Sequence, residues 1–301
     1  MKYYILFNPL AGSGSCKSKM DTLTIDGSDC VYYDVTYGGY GELLKELDTD
    51  DKIVICGGDG TINRFLRGIG DMEIKNDILY FAAGSGNDFA HDIGAEPSGK
   101  PILMNDYIKN LPWVTVKGKS YRFINGIGLG IDGYCCHEVN RVRRQENKKG
   151  NYAVIALKGL FKYFTPVNAT VTVDGETRSY KRTWMALTMK GKYFGGGMKV
   201  APDQDRSSGE GEVTALVAHD LSRLRILILF VSIFKGNHTK YTKYVTINKG
   251  HEIKVEFDRP THLQIDGETI SEVTSYTVTA KKTTLFNSEF EMRNAELRCD
   301  A

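Results

Sequence analysis

Residues 51–69, DKIVICGGDGTINRFLRGI, constrain this chain more than any other stretch. DKIVIC is short, apolar and β-branched, as a strand buried on both faces of a parallel sheet must be. TINRFLRGI places Ile62, Phe65, Leu66 and Ile69 at helical spacing, with Thr61 as a suitable N-cap. Between the two runs, Gly57, Gly58 and Gly60 surround Asp59. Gly58 and Gly60 lack a Cβ, so the backbone bends freely there and another molecule can come close. Strand, glycine turn and helix form the unit of an open α/β sheet, which binds ligands at the carboxyl ends of its strands.

The same alternation runs from the start to about residue 110. KYYILFN leads to the loop PLAGSGSCKS, then CVYYDV, the helical YGELLKEL, the GGDG unit, DILYFAA, the loop GSGN and the helical DFAHDI. This predicts βαβ units, a mostly parallel sheet and three glycine-rich turns along one edge. Beyond residue 112 the texture changes. WVTVKGKSYRFING, NATVTVDGETRSYKRTWMALTM, GEVTALV, YVTINKG, HEIKVEF, HLQIDGE and SYTVTAKKTTLF read as strands joined by tight turns, an antiparallel β domain expected to be a sandwich. Helical insertions are expected at 131–164 and from Leu221, and a linker near 106–112. The fold class is α/β followed by β.

Several function classes fall away. With 39 basic and 37 acidic residues, the net charge of +2 gives no global pull toward nucleic acid. The six cysteines include no C-x-x-C pair, and the histidines never fall at metal-binding spacing, which argues against a structural zinc. MKYYILFNP has too short an apolar stretch for a signal peptide, so reduced cysteines and a cytoplasmic location are expected. The longest apolar run, ILILFVSIF at 226–234, is about half of a membrane span.

Glycine turns at helix N-termini suit phosphate, because backbone N–H groups and the helix dipole both favour anions. GSGSCKS fails the Walker A spacing, since Cys16 stands where the second glycine is needed. GLGIDG at 128–133 matches G-x-G-x-x-G, but it enters the β-rich part without a βαβ setting and is a weak dinucleotide signal. Two readings of Gly57–Thr61 remain: a nucleoside triphosphate site with Asp59 acting on its metal, or a merely structural turn. AAGSGNDFAHDIG adds Ser85, Asn87 and Asp88 at a helix start, NGIGLGIDG adds Asp132, and QIDGE adds Glu268. One carboxylate near a metal and another free to take a proton is what phosphoryl transfer to a hydroxyl requires.

NPLAGSG, GGDGTIN, GSGNDFA, NGIGLGIDG, GGGMKVAP and a late DGE occur in the order that marks the diacylglycerol kinase catalytic-domain family, which this chain resembles over nearly its whole length. That family includes bacterial lipid kinases and the sphingosine and ceramide kinases. The resemblance implies an ATP-binding α/β domain (1–112 and 286–301) facing a β-sandwich lipid-substrate domain (113–285), with the active site in the cleft. It implies ATP binding by the loop carrying Asn8, Gly12 and Gly14, by Gly57, Gly58, Gly60 and Thr61, and by Gly84, Ser85, Asn87 and Asp88. Asp59 would contact Mg²⁺ through water, Asp132 would join that network, and Glu268 would be the general base. The earlier triplet, Asp174–Glu176, reads as a hairpin turn. NAD kinases and phosphofructokinases share the GGDG turn, leaving a soluble-substrate kinase as one alternative, though those families lack GSGNDFA followed by a sandwich ending in D-G-E; a non-catalytic nucleotide- or lipid-binding sensor is another, against which the intact Asp59 and Glu268 argue.

Departures from the family pattern are local. Ser207 and Ser208 stand where acids are common and Glu212 where Asp is, which puts a structural metal in doubt. Arg64 replaces a common acid, and Ala82-Ala83 replace Pro-Leu. The implied acceptor is a membrane lipid, diacylglycerol first, met peripherally at the inner membrane face, with a homodimer also compatible. The basic run at 141–149 could meet anionic headgroups or be a solvated helix face. Residues 226–234, flanked by Arg223, Arg225, Lys235 and Lys240, could form a buried helix or a rim for an acyl chain.

Overall fold

The computed structural model describes residues 1–9, 16–23, 25, 29–36, 40–70, 72, 74–95, 100–146, 152–207 and 211–280. The expected return of 286–301 to the first domain, and Gly12, Gly14 and Ser208, lie outside the described residues.

The first domain is a sheet of β1 (Lys2–Phe7), β2 (Asp29–Asp34), β3 (Lys52–Gly57), β4 (Ile78–Ala82) and β5 (Ile102–Leu103) in the order β2-β1-β3-β4-β5. All pairs are parallel except the short edge strand β5. Helices α1 (Cys16–Met20), α2 (Tyr40–Glu46), α3 (Asp59–Ile69), α4 (Asp88–Asp92) and α5 (Asn105–Lys109) connect or cover the strands. The apolar run of β3 is buried on both faces as its composition requires. Ile53 and Ile55 pack with Ile62, Phe65 and Ile69 of α3, while Val54 and Cys56 face Ile5, Cys16 and Phe81 on the other side. Two local expectations change. Helix α3 starts at Asp59 with Gly58 as its N-cap, so Thr61 lies inside the first turn. The stretch expected as a linker near 106–112 is largely α5, which buries Ile108, with Leu111 following in the same core, and leads directly to Trp113.

The second domain is one antiparallel sheet folded over itself. Its path runs β15 (Val245–Gly250), β14 (Val213–Ala218), β11 (Met185–Met189), β8 (Gly126–Gly130), β16 (Glu252–Ile265), β17 (Glu268–Thr279), β6 (Trp113–Val116), β7 (Lys119–Arg122). The hairpin β9 (Val167–Val173) and β10 (Glu176–Thr183) joins through β16. HEIKVEF and HLQIDGE, expected as two strands, form the single long β16. Its first half pairs with β9 and its last residues with β8. The ladder with β17 shifts register between Glu256 and Thr261, around Pro260, which has no N–H to give. This bend lets one strand serve both layers, and Phe123, Leu129, Val171, Val255 and Tyr276 fill the space between. The sandwich-like core is thereby closed.

The outer face of β11 and β14 is covered by α6 (Ile131–Glu146), α7 (Tyr152–Lys158), a π-helical turn (Gly159–Tyr163) and α8 (Arg223–Ile233), followed by a 3-10 turn (Asn237–Lys240). The small hairpin β12 (Tyr193–Phe194) and β13 (Met198–Lys199) reaches from this domain toward α4. No described helix is long and apolar enough to cross a membrane.

Candidate active site

The turns after β3 and β4 meet backbone to backbone. A Cβ on Gly58 would lie 2.9 Å from Gly84 Cα, and one on Gly84 would lie 2.4 Å from Gly58 Cα. The Ala83 and Gly84 amides both donate to Gly57 O, at 2.8 and 3.1 Å. The close approach at Gly58 therefore comes from this chain itself, whereas a Cβ on Gly60 would meet no described residue within 4 Å. Lys19 of α1 reaches the same turn and donates from Nζ to Gly84 O at 3.0 Å, placing a cation beside the glycines.

Asp59 is where the turns and the domains converge. Its Oδ2 accepts the Asp88 amide at 2.9 Å, and its Oδ1 accepts the Phe89 amide at 2.9 Å and Asn125 Nδ2 at 3.0 Å. Asn87, the N-cap of α4, is left-handed and makes no side-chain cap bond; its Nδ2 donates to Gly84 O instead. Asp59 thus caps α4 from another turn, its charge facing the positive end of the helix. Asp88 continues the chain of contacts. Its two oxygens accept the amides of Gly196 and Gly197, at 2.8 and 2.7 Å, in the β12–β13 turn of the second domain. Burial first, and then the charge of Asp59, push the Asp88 carboxyl up to about 6.

A second bridge lies alongside. Arg206 is buried, donates from Nε to Asp92 Oδ2 at 2.7 Å, and its other nitrogens reach Ile124 O and Asn125 Oδ1. Its guanidinium also sits 4.9 Å from the centre of the Phe89 ring. Asn125 is held in turn by Asp266, whose carboxylate accepts the amides of Ile124, Asn125 and Gly126 at 2.7–3.0 Å. Both D-G-E triplets are hairpins with two successive positive-φ residues, Asp174-Gly175 and Asp266-Gly267. Asp174 is exposed and ties down the His251 and Glu252 amides, whereas Asp266 joins its hairpin to Asn125 and so to Asp59. Glu268 opens β17 two residues after this anchor.

The sequence-predicted residues therefore separate into groups. Gly57, Gly58, Asp59, Gly84, Asn87 and Asp88 form one hydrogen-bonded or packed unit, with Ser85 exposed at its surface. Thr61 packs its side chain over Gly57, and Asn8, at the end of β1, is buried and accepts from Thr36 Oγ1. Glu212 is represented by its backbone carbonyl, which accepts from Gln204 Nε2 at 2.9 Å; no three His, Cys, Asp or Glu side chains gather as a metal cage among the described residues. Asn125, Arg206, Asp266, Asp92 and Lys19 were not singled out in the sequence. Asn125 and Asp266 lie inside quoted motifs and could have been found there; Arg206 carries no such signal.

Asp132 makes no hydrogen bond to this unit. It lies at the start of α6, 3 % exposed, with neither oxygen in hydrogen-bond geometry with a described residue. Burial pushes its carboxyl up to about 7, and the Gln264 amide beside it offsets this only in part. The glycines of GLGIDG make this region possible by packing. A Cβ on Gly128 would fall 1.9 Å from Asp132 Oδ2, one on Gly130 2.4 Å from Trp184 O, and one on Gly133 1.9 Å from His262 O. The motif accommodates side chain and backbone of its own domain.

Among the described residues, Asp132 is the one carboxyl lining a cavity of about 290 Å³ between α6, α7 and α8. The remaining wall is apolar, including Leu160, Phe194, Met198 and Phe230. Phe194 and Met198 flank the very glycines that Asp88 holds, so the cavity wall and the cleft share one hairpin.

Residues 2–110 match the diacylglycerol kinase catalytic domain, and residues 125–284 match the YegS C-terminal NAD kinase beta sandwich-like domain. The chain is similar to a diacylglycerol kinase of Mycobacterium tuberculosis, 25% identical over 275 residues that cover 85% of each protein. Its fold is similar to the crystal structure of a diacylglycerol kinase from Bacillus anthracis, with a TM-score of 0.60 and 16% identity over 96% of this chain and 97% of that one.

Proposed function

The chain belongs to the diacylglycerol kinase catalytic-domain family of lipid kinases, and we propose that it transfers the γ-phosphoryl group of ATP to the hydroxyl of a membrane lipid, diacylglycerol giving phosphatidic acid. The observation that carries this reading is the apolar cavity lined by the Asp132 carboxyl, walled by the hairpin that Asp88 ties to the glycine turns. A soluble sugar or dinucleotide has no use for such a wall, whereas an acyl chain gains from burial in it.

The residues present fit a metal-bound nucleotide. A carboxylate offers about four lone-pair positions, and Asp59 uses three of them on N–H donors. It retains room for one more donor, which suits a water of a hydrated Mg²⁺ better than direct ligation, since Mg²⁺ keeps several of its waters. ATP·Mg²⁺, when bound, supplies the phosphoryl group and spreads its charge. The chain's own part is positional and acid–base. Gly57–Thr61 and Gly84–Asp88 offer backbone at the sheet edge, Lys19 sets a cation beside them, and Glu268 takes the proton of the acceptor hydroxyl. Asp132 anchors the polar end of a lipid whose chain fills the cavity.

Labelled ATP offered with diacylglycerol, sphingoid bases and soluble dinucleotides tests the reading. Labelled phosphatidic acid is the expected product. Label in a dinucleotide or sugar with none in lipid would replace it with a soluble-substrate kinase.

A further inference from the structure

From Ile226 to Val231 helix α8 is apolar without interruption, yet only one side is covered. Ile226, Leu229 and Ile233 are buried against the sheet, while Leu224, Ile228, Val231 and Phe234 are 48–65 % exposed. An isolated apolar residue at the surface is ordinary; a full helix face is not. The neighbouring α7 and π-helical turn repeat the pattern, with Leu157, Phe161 and Tyr163 each about half exposed. The two elements touch, and Arg223 fastens them by donating to Leu160 O and Phe164 O. Leu157 and Val231 belong both to the exposed face and to the cavity lining, so the cavity opens through this face.

The segments that build the face carry charge of one sign. Residues 152–165 contain two lysines, residues 221–244 contain five lysines and arginines, and neither segment contains an acid, in a chain otherwise nearly balanced. Lys158, Lys162, Arg225, Lys235, Lys240 and Lys243 are all exposed. A second copy of the same face would set cation against cation, so self-association is opposed. An apolar centre ringed by cations instead matches the acyl region and headgroups of an anionic bilayer.

We propose that the face formed by α7, the π-helical turn and α8 is the membrane-docking surface, seated in an anionic bilayer so that the cavity mouth between Leu157 and Val231 opens into the acyl layer. The use of that mouth rests on the lipid-kinase reading; the docking itself does not. Arg141, at the start of the basic run, is instead paired with Glu138 at 3.0 Å on α6.

The test is flotation with vesicles of phosphatidylcholine alone or mixed with phosphatidylglycerol, at low and high salt. Variants Ile228→Glu and the double change Lys235→Glu, Lys240→Glu alter exposed side chains outside the catalytic unit and the cavity lining. The wild type should bind the anionic vesicles and release in high salt, where the screening length shrinks to roughly 3 Å. Each variant should lose binding on the order of tenfold. Both should phosphorylate a short-chain lipid dispersed as monomers at the wild-type rate, which also shows that they are folded. Variants that float like the wild type would overturn the proposal. So would a wild-type dimer in sedimentation that the same substitutions dissociate, with no vesicle binding. If binding follows the charges but no lipid is ever phosphorylated, docking stands and the kinase reading falls.

Discussion

Asp59 and Asp88 are joined through a backbone amide: the Asp59 carboxylate accepts the Asp88 N–H at 2.9 Å, while the Asp88 carboxylate holds the amides of Gly196 and Gly197. Two acids of one domain thus form a continuous bridge into the other. Their charges repel, and the arrangement persists because every oxygen faces N–H donors.

Asp59→Asn is expected to lower kcat on the order of 10³-fold and to reduce the melting temperature by a few degrees. The amide must turn its own NH₂ toward either the Asp88 N–H or the pair from Phe89 and Asn125, placing donor against donor. Steady-state kinetics and a thermal melt check both effects. A near-normal rate with a lowered melting temperature would mean that Asp59 only ties α4 and Asn125 together and takes no part in the chemistry.

Glu268→Gln should cost roughly 10²- to 10⁴-fold in kcat and leave nucleotide affinity intact, because a general base acts in the transition state. Glu176→Gln, on the exposed hairpin, should be silent. Kinetics and ATP titration of the pair decide which triplet carries the base; the reverse pattern would transfer the role to Glu176.

Gly84→Ala and Gly60→Ala separate packing from ligand approach. The methyl at Gly84 would collide with Gly58 Cα at 2.4 Å, so the two turns must part and both stability and activity should fall. The methyl at Gly60 meets no described residue within 4 Å, so this variant should melt like the wild type. A selective loss of ATP affinity in Gly60→Ala, measured by calorimetry, would place the nucleotide against that glycine; unchanged affinity would move it elsewhere.

Asp132 makes stability depend on pH in a defined direction. Its folded carboxyl is raised to about 7, above the ordinary value of an unfolded aspartate near 4, so between these values the folded state binds the extra proton. The stability it contributes to the folded state is therefore present at low pH and lost as pH rises through about 7. Asp132→Asn should flatten that decline and melt higher than the wild type at about pH 8, read from melting curves across the range. A parallel decline in both proteins would show that the carboxyl is solvated.

The sheet of the first domain was readable from its apolar runs because β3 is buried on both faces and its glycines break the pattern sharply. The second domain was readable as strands but not as a path: HEIKVEF and HLQIDGE look like two elements because Pro260 and Arg259 interrupt the alternation, and only the partners β9 and β8 show them to be one bent strand. Asp59 was legible as a site residue, since acids between glycines at a strand end are rare for reasons of packing alone. Its three donors were not, because they come from residues 88, 89 and 125, which only the turn geometry brings together. Arg206 was illegible for the same reason; one arginine in a polar loop says nothing of Asp92 or Ile124. Asp132 stood out by motif order, but its place in the lining of an apolar cavity was not legible, because that cavity is built by helices distant in the sequence.

The pairing of β8 with the end of β16, Leu129 opposite Leu263, has a consequence for how the enzyme comes into being. Chains are made from the amino terminus, and contacts between distant segments form slowly because long loops must close first. The glycine turns after β3 and β4 lie within the first 90 residues and are made before the second domain. Asn125 follows, but Asp266 and Glu268 reach it only when nearly the whole chain has been synthesised. A nascent or prematurely ended chain therefore holds the glycine turns without the Asp266 hairpin, and the candidate site is completed in a single late step of assembly.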